Sequence, residues 1–169
     1  WAAGATIVPK GAGSYEQIGC FDSKRQRLYV GHGKGGLGCL DIKAGTWQEV
    51  KGEGQPEDLG SSSSTYLAFD SASGVLVWMK RHGEVHTYDP DANQWTNLGN
   101  RWTEQPSKHP YPDIPSPKFN VSYMGWHGFY HAGLNAHVFY LAGDSGSSDA
   151  SFVAYRYKNT KKKEEGKSQ

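Results

Sequence analysis

Residues 66–95 read YLAFDSASGVLVWMKRHGEVHTYDPDANQW, and the reading of this stretch decides the fold. Three short apolar runs, Tyr66 to Phe69, Val75 to Met79 and Val85 to Asp89, are divided by Asp-Ser, Gly and charged residues. Short runs of β-branched and aromatic residues between turn formers predict strands. The turn Pro90 to Gln94 then delivers Trp95, which opens a fourth strand. The preceding sequence has the same form without a gap. Phe21-Asp22-Ser23 returns as Phe69-Asp70-Ser71 at an offset of 48 residues, and at that offset Leu28, Gly35, Asp41, Ala44 and Trp47 return as Leu76, Gly83, Asp89, Ala92 and Trp95. The strands of this copy are placed at Tyr15 to Phe21, Arg27 to Val30 and Leu37 to Asp41, with the fourth opening at Trp47 after the turn Ile42 to Thr46.

A looser third copy follows, with strands at Ser122 to Tyr130, His137 to Leu141 and Phe152 to Tyr157 and no Trp to open a fourth. Four short antiparallel strands at a fixed period are the sequence form of a propeller blade. The expected fold is therefore all-β: a β-propeller segment of three four-stranded antiparallel blades with a period of about 48 residues, part of a six- or seven-bladed ring. Residues 1–14 are assigned to the outer strand of a preceding blade, 15–62 to the first blade and 63–119 to the second with its long Pro-rich connection. The third blade, without its outer strand, takes 120–158, and 159–169 form a charged, disordered tail.

The bulk composition agrees with thin sheets. The chain has 169 residues with 22 Gly, 10 Tyr, 6 Trp and 6 Phe, and its net charge of +1 favours neither nucleic acid nor a membrane as partner. The basic residues Lys161 to Lys163 are interrupted by Glu164 and Glu165, as in a solvated terminus. The chain opens on Trp1, so the absence of a signal peptide says nothing. Compartment stays open, with an extracellular or periplasmic location preferred. The two cysteines, Cys20 and Cys39, make no disulfide framework.

Leu28-Tyr29-Val30 with Leu40-Asp41 and Trp47, and Leu76-Val77-Trp78 with Tyr88-Asp89-Pro90 and Trp95, resemble Kelch repeats. Where that family has Gly-Gly after the second strand, this chain has Gly31-His32-Gly33 and Lys80-Arg81, so the resemblance is to the divergent, galactose-oxidase-like form. It covers residues 15–157 and speaks to fold far more than to activity. Trp47, Trp95, Asp41 and Asp89 are read as blade-building residues, the indoles packing between blades and the carboxylates capping turns. Trp1 is read in the same way. Trp1, Trp47 and Trp95 are each followed by a proline at similar spacing (Pro9, Pro56, Pro106), which displaces the outer strands by one blade. The expected partners are thus the remaining blades of a longer propeller or, alternatively, a second copy completing a six-bladed dimer.

In such a fold the loops between second and third strands share one rim with the connections between blades. That rim would gather His32, Lys34, Arg81, His82, Asp144 and Asp149, with Tyr111 from the long connection Pro106 to Pro117. Its mixed charge suits a carbohydrate or protein ligand, and the expected function is a non-enzymatic recognition scaffold. His127 and His131, four apart on one strand, are weak metal candidates, and resemblance to galactose-oxidase-type enzymes makes copper the cofactor of the alternative reading. A further alternative is a structural propeller segment in a larger assembly. No catalytic residue and no cofactor are otherwise expected.

Overall fold

A computed structural model of the chain describes residues 18–32, 36–57, 59, 66–80, 84–100, 127–141 and 151–158. These form three consecutive antiparallel sheets. Sheet 1 has β1 (Ile18–Asp22), β2 (Arg27–His32), β3 (Gly36–Asp41) and β4 (Thr46–Val50). Sheet 2 has β5 (Tyr66–Asp70), β6 (Val75–Met79), β7 (Glu84–Asp89) and β8 (Gln94–Asn100). Sheet 3 has β9 (His127–His131), β10 (Ala136–Leu141) and β11 (Ser151–Tyr155), with no fourth strand among the described residues. Strands follow one another in sequence order across each sheet, and β5 lies against both β1 and β9. The first strands are therefore neighbours, as blades of a propeller segment require.

The strands run further than the sequence spacing indicates at one end of each blade. Gly31 and His32 extend β2, Gly36 opens β3, and Glu84 opens β7, so residues assigned to rim loops are paired in ladders. In the third blade β11 stops at Tyr155, two residues before the expected end. Arg156 has left the ladder, and its Nε donates to the Leu134 carbonyl 3.2 Å away. The expected strand residues 15–17 and 122–126, the outer strand around Trp1 and the charged tail lie outside the described residues.

At the opposite end each hairpin closes through the same four-residue turn. Asp22 Oδ1 accepts the backbone N–H groups of Lys24 and Arg25, Asp41 Oδ1 those of Lys43 and Ala44, and Asp89 Oδ1 those of Asp91 and Ala92. Asp70 Oδ1 accepts from Ser73. The last turn residue takes a left-handed φ every time: Gln26 at 56°, Gly45 at 65°, Gly74 at 73°, Asn93 at 53° and Asn135 at 45°. That conformation suits Gly and Asn, and a short acceptor side chain at the first position satisfies the N–H groups the turn leaves free.

Alternation gives each sheet two apolar faces. On one face of sheet 2 the cross-strand row Phe69, Leu76, Tyr88, Trp95 packs on Tyr29, Leu37 and Cys39 of sheet 1. On its other face Ala68, Val77, Met79 and Val85 pack with Phe139 of sheet 3. Trp95 is 4 % exposed, lying 5.1 Å from the Tyr88 ring and against Gly52 of the chain that leaves sheet 1. That chain is stitched in place. Trp95 N–H donates to the Glu53 carbonyl at 2.8 Å, and Glu53 N–H donates to Asn93 O at 3.1 Å. Trp47 lies over Gly38 so closely that a Cβ there would sit 1.8 Å from its ring, which explains glycine at that position. Cys20 and Cys39 flank Tyr29 in neighbouring strands, and both are free thiols.

Candidate functional site

In an antiparallel blade the loops between second and third strands emerge at the end opposite the Asp-capped turns. The described part of that end is best defined at the root of the β6–β7 loop. There Lys80 N–H donates to the Glu84 carbonyl, and Lys80 Nζ lies 3.0 Å from Glu84 Oε2 and 5.2 Å from the centre of the Trp78 ring. The other carboxylate oxygen, Oε1, is 2.8 Å from His86 Nε2 and accepts from Asn97 Nδ2 at 3.1 Å. Alternation along β7 puts Glu84 and His86 on one side, and the ladder sets Asn97 of β8 opposite His86. Burial pushes the Glu84 carboxyl up, but hydrogen bonds from Lys80 and His86 outweigh it and hold the group below the usual carboxylate range. The result is an ionised carboxylate with a third of its side chain in solvent, backed by a fully buried indole. Such a group accepts hydrogen bonds from hydroxyls or amides without having to change protonation state.

Of the rim residues expected from sequence, Lys34, Arg81, His82, Asp144, Asp149 and Tyr111 lie outside the described residues. His32 is placed in β2 opposite Gly36, at the same end of its sheet as Glu84. His127 opens β9, and His131 closes it. Four residues of extended strand separate their Cα atoms by about 13 Å. His131 Nδ1 accepts the Leu134 N–H at 3.1 Å, so this side chain caps its turn, the task Asp22 and Asp70 perform in the other blades. The chain has no group of three or more His, Cys, Asp or Glu side chains arranged to hold a metal among the described residues.

A second polar cluster was not singled out from sequence. Between sheets 2 and 3 the Tyr66 hydroxyl is 2.9 Å from His137 Nδ1, and His137 Nε2 is 3.5 Å from Asp70 Oδ2. With the phenol donating to Nδ1, the ring proton sits on Nε2 and faces the carboxylate, in a contact too long for a full hydrogen bond. Tyr66, Asp70 and His137 are 3 %, 1 % and 0 % exposed. Burial pushes the Tyr66 phenol upward. Burial also acts to raise Asp70, yet the facing His137 imidazole and the hydrogen bond from the Ser73 N–H carry it below its ordinary value. The Tyr–His–Asp order resembles a proton relay, but no substrate reaches groups buried this deeply, and the cluster is a latch between blades. A signal for it existed: His137 takes the place in the repeat held by Leu28 and Leu76.

Comparison with protein-family models and with curated proteins gives no match to this chain.

Proposed function

We propose that the chain is a Kelch-like, galactose-oxidase-like propeller scaffold that binds a carbohydrate or protein ligand at its loop face without catalysing a reaction. The observation that carries this reading is the Glu84 carboxylate, fixed by Lys80, His86 and Asn97 at the mouth of the β6–β7 loop and one-third open to solvent. Fixing an acceptor before a ligand arrives lowers the ordering cost of binding. The Asp-capped end of the blades differs: there Oδ1 of each capping carboxylate accepts backbone N–H groups of its own turn.

The test is saturation-transfer NMR with a panel of neutral and acidic oligosaccharides, repeated on Glu84→Gln. Binding that weakens roughly tenfold in the variant, about 1.4 kcal/mol, supports the assignment. Equal binding by both proteins removes Glu84 from the site. Failure of every sugar, together with a Glu84-dependent interaction in a peptide display screen, selects the protein ligand over the carbohydrate.

A further inference from the structure

The described residues include four large hydrophobic side chains that are well exposed: Phe21 at 44 %, Ile42 at 51 %, Phe129 at 56 % and Leu134 at 53 %. Two belong to sheet 1, two to sheet 3 and none to the middle sheet, so exposure is concentrated on the blades at either end. The register shows what these faces are for. Phe21 lies in the row Phe21, Leu28, Leu40, Trp47, the equivalent of Phe69, Leu76, Tyr88, Trp95 in sheet 2. In sheet 2 that row is almost fully buried against the preceding blade. In sheet 1 no sheet covers it among the described residues, and Leu28, Leu40 and Trp47 are only partly buried. Phe129 lies in the row Phe129, Val138, Ala154, equivalent to Cys20, Tyr29, Cys39, the face sheet 1 presents to sheet 2. The two open faces are thus the two halves of the joint already present inside the chain.

The turns carry a second, independent match. At the joint between sheets 1 and 2, Arg25 of the β1–β2 turn donates from Nε to Asp91 Oδ1 of the β7–β8 turn at 2.8 Å. In sheet 3 the Arg25 position is Leu134, and in sheet 1 the Asp91 position is Lys43, next to exposed Ile42. An arginine facing Lys43 would be repelled, whereas Leu134 facing Ile42 buries apolar surface. Both positions of the ionic contact have changed, arginine to leucine and aspartate to lysine, and the apolar neighbour of that lysine is Ile42.

We propose that the open face of sheet 1 receives the open face of sheet 3 from a second copy of this chain, with Phe129 seated over the Phe21 row and Leu134 against Ile42. The contact is heterologous, so two copies make it twice when the rotation closes. Three sheets from each copy give a ring of about six blades, inside the roughly four to eight of natural propellers.

Sedimentation equilibrium on the 169-residue chain tests this with Phe21→Lys, Phe129→Glu and an equimolar mixture of the two. Both sites are exposed, and unchanged circular dichroism and melting show that the variants are folded. The expected result is a wild-type species of twice the 18.6 kDa chain mass. Each variant alone should self-associate at least roughly tenfold more weakly, and the mixture should recover the paired mass because one native contact and one Lys–Glu contact form. A wild-type monomer overturns the proposal, as does an assembly larger than the pair. A pair broken by Phe21→Lys but indifferent to Phe129→Glu also overturns it, since that outcome means like faces meeting.

Discussion

The two joints inside the chain use the same positions of the repeat for different physics. Between sheets 1 and 2 the contact is aromatic and apolar, with Trp95, Tyr88 and Trp78 in one cluster and the Arg25–Asp91 ion pair at its turn end. Between sheets 2 and 3 the position of Leu28 and Leu76 is His137, and the joint closes on the buried Tyr66–His137–Asp70 contact with Tyr130 and Tyr155 beside the imidazole. An apolar joint tolerates changes of shape at a cost that scales with the volume removed. A buried polar joint is costly when one member is lost, because the others remain desolvated without a partner. The first joint is thus set by packing and the second by pairing.

Removing the packing anchor should have the largest effect. Trp95→Ala empties the space between Tyr88, Trp78 and Gly52 and is expected to cost about 3–5 kcal/mol, read from urea unfolding monitored by far-ultraviolet circular dichroism. A loss below about 1 kcal/mol would mean that the first joint does not depend on its aromatic cluster. The corresponding break in the second joint is His137→Leu, which restores the residue of the other two blades. It leaves the Tyr66 hydroxyl buried without its partner and Asp70 without its facing imidazole, for an expected cost of about 2–3 kcal/mol. Adding Tyr66→Phe should recover about 1 kcal/mol, because the orphaned hydroxyl is removed with its partner. If the double variant is as unstable as the sum of the singles, pairing is not what holds this joint.

Acid and salt separate the joints more gently. The Asp70 carboxyl is held below its ordinary 3.8 when folded, so its contribution is complete above that pH and is lost as pH falls through the lowered folded value. Asp91 behaves with the same sign: the Arg25 side chain brings it from 3.8 to about 2. Both joints therefore weaken on acidification below about pH 4, and neither carboxylate's contribution is lost as pH rises. Salt tells them apart. Asp91 is 64 % exposed and its attraction to Arg25 is screened, whereas Asp70 and His137 are out of reach of ions. Arg25→Ala is expected to cost about 1 kcal/mol at low salt and less at high salt, while the cost of His137→Leu should not change with salt. A salt-independent Arg25→Ala would show that Arg25 acts through its bonds to buried Asp22 and the Gly74 carbonyl instead.

Local features of this fold were legible because they depend on neighbours in sequence. The continuous apolar runs of β5 and β6, the Asp that precedes each four-residue turn of the first two blades and the Trp near the start of their outer strands all lie within a few residues of what they organise. The pairings that distinguish the joints were not legible, since their partners are distant: 71 residues separate Tyr66 from His137 and 66 separate Arg25 from Asp91. His137 carried a visible anomaly, a polar residue in an apolar column, but the column became apparent only with the strand register of the third, irregular copy. The rim was partly legible. Glu84 belonged to a recognised loop, yet its partners His86 and Asn97 come from strand positions that no loop inventory contains.

The smallest expected effect sits in the turn that both outer blades share. Gln26 and Asn135 occupy the same left-handed position that Gly74 fills in sheet 2. Gln26 donates from Nε2 to the Ser23 carbonyl at an exposed site, inside its own turn. Replacing it with glycine relieves the Cβ strain of that φ and forfeits only a solvent-replaceable bond, so Gln26→Gly should be neutral or stabilising by roughly 0.5 kcal/mol. Asn135 is tied into the second joint. Its Oδ1 accepts the Tyr130 hydroxyl at 2.8 Å, and its Nδ2 reaches the Lys158 carbonyl at 3.3 Å. Tyr130 in turn lies 5.0 Å from the His137 ring. Asn135→Gly gains the same relief but releases the phenol that lines the latch, and a net loss of roughly 0.5–1 kcal/mol is expected from thermal unfolding. Opposite signs at one turn position would show that pairing in the second joint extends to the hairpin end of its blade. Equal signs would confine it to Tyr66, His137 and Asp70.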